Sequence, residues 1–454
     1  MQAFLGREGE LGSLNEWHSG GRFELVMMYG RRRVGKTSII REFVKGKRAI
    51  VIDAMRVKGG GNLRLMREAV ASALGADTEG MRIGDLLRLI GEHSGERLVL
   101  AIDEFPFFAE SDEELMSSLQ AFADGPAAGT RLFIILCGSS MGFMKRQVMG
   151  IESPLYGRRT REMHVRPMDY LEASVFLEGR TPYEKACVYG AVGGVPGYLS
   201  KFSGGEGVFD VMAREFFTEG TTLCSEPESL LMQELRDPRA YNDVIAAVAS
   251  GKARLSEISD MAGIGAPEAS RLLSDLEDLG YVEKATPFNE KPGRRTRYFL
   301  ADNLFRFRYY MAVQRRARVF GADMAATAGN IEREMPEYMG RAFEGMCAQF
   351  VRRMGYPLAG RWWGAGQDSG LEIDVAASVA EGGRVRGLLA ECKFTNRKAG
   401  VEDLEGLREA ADRVRGLDSR ELAIFSKSGF TDSLEARAEA EGVRLICLDD
   451  MFGV

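Results

Sequence analysis

Histidine is almost missing from this sequence, with three residues in 454. The six cysteines, at positions 137, 187, 224, 347, 392 and 447, stand far apart and form no C-x-x-C pair. Together these two shortages argue against a zinc cluster. Scattered thiols fit a reducing compartment, so a cytoplasmic location is expected. Long apolar runs are also lacking. The longest, such as LFIILCG at 132–138, are far too short to cross a bilayer, and no membrane partner is expected. The opening MQAFLGREGELG has no basic start leading into an apolar stretch, so no signal peptide is expected. Nor is there an excess of positive charge. Sixty Lys and Arg against 66 Asp and Glu leave a net −6, which does not advertise nucleic-acid binding but permits a local basic face. What remains is 45% hydrophobic and 28% charged, the balance of an ordinary globular protein long enough for about three domains.

The first chemistry lies in FELVMMYGRRRVGKTSIIREF, residues 23–43: an apolar strand, a glycine-bounded loop, then a helical pattern. The loop Gly30-Arg31-Arg32-Arg33-Val34-Gly35-Lys36-Thr37-Ser38 satisfies G-x-x-x-x-G-K-[ST]. Glycines let backbone N–H groups curl around phosphates where a Cβ would obstruct. The helix that follows offers its N-terminus to the anion. Lys36 can reach the β- and γ-phosphates of a nucleotide, and the Thr37 hydroxyl can sit on Mg²⁺.

RLVLAIDEFPFF, residues 97–108, is an apolar strand ending in Asp103 and Glu104. A carboxylate at that tip can hold the Mg²⁺ shell while its neighbour orients the attacking water. RLFIILCGSS, residues 131–140, reads as another buried parallel strand; its Ser139 is either a γ-phosphate sensor or a turn serine. Strands alternating with helices predict a parallel sheet covered on both faces.

These segments, with FLGREGEL and SPLYGRRT, resemble the archaeal-type P-loop ATPases related to AAA+ and STAND proteins. The resemblance implies ATP and Mg²⁺ as cofactors, residues 4–11 near the adenine, and a helical lid after the core. GAVGGVPGYLSKF, residues 190–202, resembles the Gly-x-Pro lid motif of the STAND branch. Arg158 or Arg159 would then be a γ-phosphate sensor or finger.

In the middle, residues 238–303 read as three helices and a two-stranded wing, a winged helix whose third helix runs from Ala266 to Leu279. That helix carries Glu268, Asp275, Glu277 and Asp278 against Arg271, a poor match to a phosphate-lined groove. The wing, with Lys291, Arg294, Arg295 and Arg297 among aromatics, suits either DNA contact or an interdomain joint. Residues 317–330, rich in small residues, mark a domain boundary.

Further on, GLLAECKFTNRK at 387–398 sets Glu391 and Lys393 into a core strand, where unpaired charge is costly. A Gly382-Gly383 turn joins that strand to LEIDVAASVAE, so pairing across the hairpin brings Asp374 toward Glu391. Two carboxylates make a hard-oxygen site for Mg²⁺ or Mn²⁺, and Lys393 either helps deprotonate a water or neutralises phosphate charge. A salt-bridged strand pair without metal is the plain alternative. With Glu344 on the preceding helix, the set resembles the PD-(D/E)XK nuclease-like domain, Ile373 standing where the motif has proline.

The expected fold is therefore α/β and multidomain: a P-loop ATPase core (1–165), a helical lid (166–235), a winged helix (236–316) and a nuclease-like, restriction-endonuclease-like domain (331–454). The expected function is an ATP-driven switch coupled to a DNA-directed nuclease module, catalytic through Glu104, Glu344, Asp374, Glu391 and Lys393. Thr37, Asp103, Asp374 and Glu391 are the expected metal ligands. ATP and DNA are the expected partners, and the sequence allows an oligomer. A nucleotide-gated DNA-binding regulator and a protein scaffold are the alternatives.

Overall fold

A computed structural model describes residues 4–235, 237–315 and 323–453. The chain divides into two compact units, Met1–Pro167 with Val195–Gly197, and Met168–Gly194 with Tyr198–Val454.

The first unit is built on five strands: β1 Glu24–Tyr29, β2 Ala49–Asp53, β3 Leu98–Asp103, β4 Leu132–Gly138 and β5 Arg161–His164. They lie in the order β2-β3-β4-β1-β5, and every neighbouring pair is parallel. β1, β3 and β4 are buried along their whole length, which is why their sequences are continuous apolar runs without alternation. A parallel sheet aligns all strand ends, so Tyr29, Asp103 and Gly138 reach the same edge. Loops carrying chemistry gather there.

The second unit begins with the short helix Tyr170–Ala173, followed by the helices Pro182–Val192, Val208–Phe217 and Thr222–Glu234. Helices Pro238–Ala249, Leu255–Ala262 and Ala266–Asp278 follow, then antiparallel strands β6 Val282–Ala285 and β7 Arg297–Leu300. The last part holds a mixed sheet of β8 Leu358–Trp363, β9 Glu372–Glu381, β10 Arg384–Lys393, β11 Ser419–Ser426 and β12 Arg444–Cys447, in the order β12-β11-β10-β9-β8. β8, β9 and β10 are antiparallel neighbours, whereas β11 and β12 continue in parallel. Gly382 and Gly383 turn the β9–β10 hairpin with φ of 58° and 80°, a two-residue turn that needs positive φ at both positions.

The boundary expected at 317–330 differs from what is seen. Part of it lies outside the described residues, but from Met324 onward the chain is one helix to Arg353. Asp323 caps it, accepting the Ala326 N–H at 2.6 Å, and the alanines after it are good helix formers. That helix packs closely on Pro182–Val192. A Cβ on Gly190 would fall 2.2 Å from the Met339 sulfur, and the Tyr338 hydroxyl donates to the Gly190 carbonyl at 2.6 Å. The last apolar stretch also divides: β12 ends at Cys447, and Leu448–Phe452 is helical.

Candidate functional sites

The first site forms where β1 turns into the helix Lys36–Phe43. Only glycine fits at Gly30, where a Cβ would lie 2.2 Å from the Val165 carbonyl oxygen. Gly35 adopts φ 98°, and Arg33, with no glycine's freedom, is held at φ 63°. Left-handed residues of this kind fan backbone N–H groups toward one point. The Lys36 ammonium donates to the carbonyls of Gly30 (2.6 Å) and Arg31 (3.0 Å), closing the loop around its own tip. Arg31 is buried; Arg32, Arg33 and Ser38 are exposed.

The Thr37 hydroxyl donates to the Asp103 carboxylate at 2.5 Å, so β3 and the loop bring two oxygen donors together. That pair has the chemistry a hard divalent cation selects. Glu104, next to Asp103, is strained at φ 48°. Its carboxylate accepts the Ser139 hydroxyl at 2.7 Å and the Ser139 N–H at 3.3 Å, so Ser139 tethers the candidate base.

Neither expected arginine sensor is presented in that way. Arg158 makes a two-pronged pair with Asp124, at 2.6 and 2.8 Å, and donates to two carbonyls. Arg159 sits 3.3 Å from Glu162 and donates to the Met149 carbonyl. Three residues outside the expected set do belong here. Buried Arg7 donates to the Val34 carbonyl (2.7 Å) and the Arg166 carbonyl (2.8 Å), tying FLGREGEL to the loop. Pro196 lies against Gly35, and the Gly197 N–H donates to the Arg33 carbonyl at 3.2 Å.

The second site lies in the last sheet. Asp374 accepts the Cys392 N–H at 2.8 Å, which places it beside Glu391 across the hairpin. Burial, then the charges of Glu344 and Glu391, push the Asp374 carboxyl up to about 8. Burial likewise raises Glu391, against the hydrogen bond it receives from Lys393 at 2.5 Å. Lys393 also stands 3.6 Å from Asp403. Burial would lower its pKa, but the bond to Glu391 and the charges of Glu391, Asp403 and Asp374 outweigh it, so the ammonium persists. Glu344, on the helix Met324–Arg353, is 2.9 Å from Arg361 and 3.6 Å from Arg341. The structure thus brings Glu344, Asp374, Glu391 and Lys393 into one neighbourhood. Among the described residues, no three His, Cys, Asp or Glu side chains are arranged to ligate a single ion.

Residues of the wing touch the last sheet. Arg297 pairs with Glu372 at 2.9 Å and lies 4.7 Å over Trp363. The Phe288 N–H donates to the Arg361 carbonyl at 2.7 Å, and Asn289 donates to the Arg415 carbonyl at 3.2 Å. Arg295 is paired with Glu290, and Tyr298, Phe305 and Phe307 are core. Lys291 and Arg294 remain exposed. On the third helix, Arg271 is 3.5 Å from Asp275, and Glu268, Glu277 and Asp278 face solvent.

Comparison with known proteins agrees with the first site. Residues 4–202 match the model of an ATPase domain predominantly from Archaea, and this chain is a P-loop ATPase. Residues 243–285 match the IclR helix-turn-helix domain, and residues 309–404 a family of archaeal and bacterial proteins of unknown function. An uncharacterized protein of Methanocaldococcus jannaschii is 27% identical over 390 residues, 82% of this chain and 84% of that one. Among solved structures, the Walker-type ATPase of Pyrococcus abyssi aligns over 67% of this chain and 95% of its own, with 23% identity and a TM-score of 0.47. The ORC2 protein of Aeropyrum pernix aligns over 75% and 97%, with 15% identity and a TM-score of 0.44. Among the described residues no helix is long and apolar enough to cross a membrane.

Proposed function

We propose that this ATPase is a nucleotide-driven switch whose C-terminal domain acts on the phosphodiester backbone of DNA. In the first site, Gly30 to Ser38 hold the triphosphate, Thr37 and Asp103 hold Mg²⁺, and Glu104 orients the attacking water. Residues 1–165 form the nucleotide core, with the lid, winged helix and nuclease-like domain following in the order read from the sequence. The helix after residue 323 belongs with the last of these.

The observation that carries the nuclease half is Asp374. A structural ion-pair network would give each buried carboxylate a cation, yet Asp374 has a backbone N–H while Arg361 serves Glu344 and Lys393 serves Glu391. Where Glu344, Asp374 and Glu391 meet there is one carboxyl more than there are paired cations, so Asp374 holds a proton that a divalent ion would displace, and the oxygen donors suit Mg²⁺ or Mn²⁺ held by Asp374 and Glu391. When bound, such an ion would polarise a phosphate and lower the pKa of water. Lys393, kept protonated, faces the charge that grows on phosphate oxygens and is not the base. Plasmid nicking with Mg²⁺ or Mn²⁺ tests this, with Lys393→Ala expected to lose at least about a hundredfold in rate. Equal cleavage by that variant would end the nuclease assignment.

One observation favours a second reading, a DNA-binding regulator that does not cut: the acidic side chains as they stand do not form a three-ligand ion site. That reading predicts ATP-responsive, salt-sensitive DNA binding with no cleavage under any divalent ion.

A further inference from the structure

Past the end of β11 lies a cavity of about 510 Å³ that none of Glu344, Asp374, Glu391 or Lys393 lines. Its walls come from the start of the helix Pro182–Val192, the helix Met324–Arg353, the segment after β10 and the C-terminal helix Leu448–Phe452. The polar lining is unusual. Lys427 and Arg333 supply two cations, Glu332 and Asp449 two carboxylates, and among the described residues none of the four is in an ion pair. Charges at a protein surface normally find partners or open water. Glu332, Arg333 and Asp449 are exposed and Lys427 is half-buried, so both signs of charge stand open to a ligand around one concavity.

Each group has a definite place. The Lys427 ammonium donates to the Asn396 side-chain oxygen at 2.6 Å, and stands 5.3 Å from the centre of the Tyr183 ring and 5.6 Å from that of Phe394. Burial lowers its pKa, so an incoming anion would relieve a desolvated charge. Arg333 donates to the Asn330 side chain at 2.8 Å. Tyr183 stacks near-parallel on Phe394, at 17° and 6.0 Å, which fixes its ring at the cavity wall.

We propose that this cavity binds a nucleoside monophosphate unit. Lys427 and Arg333 take the phosphate through charge-assisted hydrogen bonds. The base lies along Tyr183, as bases do on aromatic side chains. Glu332 and Asp449 accept N–H groups from the base edge. A bare anion would be repelled by those two carboxylates and an apolar ligand would leave all four charges unmet, so the ligand must carry separated anionic and N–H-donating ends. The Lys427 backbone N–H donates to the Lys393 carbonyl at 2.9 Å, joining this wall to the strand that bears the acidic cluster. The same unit therefore has two sources: a free mononucleotide, or one nucleotide of a strand running past that cluster. Neither source depends on metal binding or cleavage at Asp374.

The test uses the full chain carrying Lys36→Ala, so that the P-loop does not contribute. AMP, GMP, adenosine and a 5′-phosphorylated single-stranded hexanucleotide are titrated without divalent ions. AMP or GMP is expected to bind saturably, with adenosine at least roughly tenfold weaker. Lys427→Ala and Arg333→Gln should each weaken binding by roughly tenfold, while Lys427→Arg, which keeps the cation, stays within about threefold. Lys427-dependent binding of the hexanucleotide alone would assign the site to a strand; mononucleotide binding would assign it to a free ligand. No saturable binding of any probe, or unchanged affinity in both Lys427→Ala and Arg333→Gln, overturns the site.

Discussion

Arg361 sets its guanidinium 2.9 Å from the Glu344 carboxylate. The same guanidinium is 3.8 Å from Glu283 of the wing and 5.1 Å over the wing residue Phe299, which Arg341 also approaches, at 4.2 Å. Glu344 is therefore held through side chains that the winged helix itself holds, and a movement of β6 and β7 would alter the field at Asp374. No such link would exist if the wing stood free to enter a groove.

Because both partners are largely buried, the Arg361–Glu344 pair should behave as a desolvated ion pair. A double-mutant cycle with Arg361→Met and Glu344→Gln is expected to give a coupling of about 1–3 kcal/mol in urea unfolding. A value under about 0.5 kcal/mol would mean an ordinary surface contact.

Asp374 gives a pH dependence whose sign follows from its raised pKa. An unfolded chain ionises this carboxyl near 3.8, whereas the fold keeps its proton to about 8. Between those values the native state binds more protons, so its contribution is complete below about 4 and is lost as pH rises through 8. Asp374→Asn should accordingly raise the melting temperature at pH 8 by about 3 °C or more and do far less at pH 5. A shift of the same size at both pH values would show that the carboxyl is ordinary.

In the ATP site, Lys36→Ala should abolish nucleotide binding. Glu104→Gln should leave affinity within about threefold and lower kcat at least about a hundredfold. Fluorescent-nucleotide titration and steady-state phosphate release separate the two effects. Unimpaired turnover in Glu104→Gln would move the base elsewhere.

Docking of the wing makes a contrary forecast for DNA. Arg297→Ala should destabilise the chain through loss of Glu372 and Trp363, yet leave the salt dependence of DNA binding unchanged. A phosphate contact at Arg297 would instead reduce the slope of log K against log salt by about 1.

The sequence made the phosphate loop legible because glycine and lysine spacing is nearly the whole of its chemistry. Gly30 must be glycine to clear Val165, and that necessity shows in the letters. Hairpin register was equally open, since Gly382-Gly383 fixes which residue of β9 faces Glu391. What stayed hidden depends on contacts distant in the chain. Arg158 reads as a free arginine beside a glycine, and nothing local announces Asp124. Arg361, in the run GRWWG, shows no sign of Glu344 or Glu283. Arg7 stood inside a recognised motif, but its bond to Val34 closes across 27 residues. Small residues at 324–330 looked like a linker because alanine and glycine serve both roles, and only the cap at Asp323 decides for helix.

Residues Val195–Gly197 fold with the first unit while the residues on both sides fold with the second. The polypeptide therefore crosses between units three times, and no contiguous clone contains all of the first unit alone. A fragment ending at Pro167 would lose the proline that rests on Gly35, and its kinetics would describe a damaged enzyme.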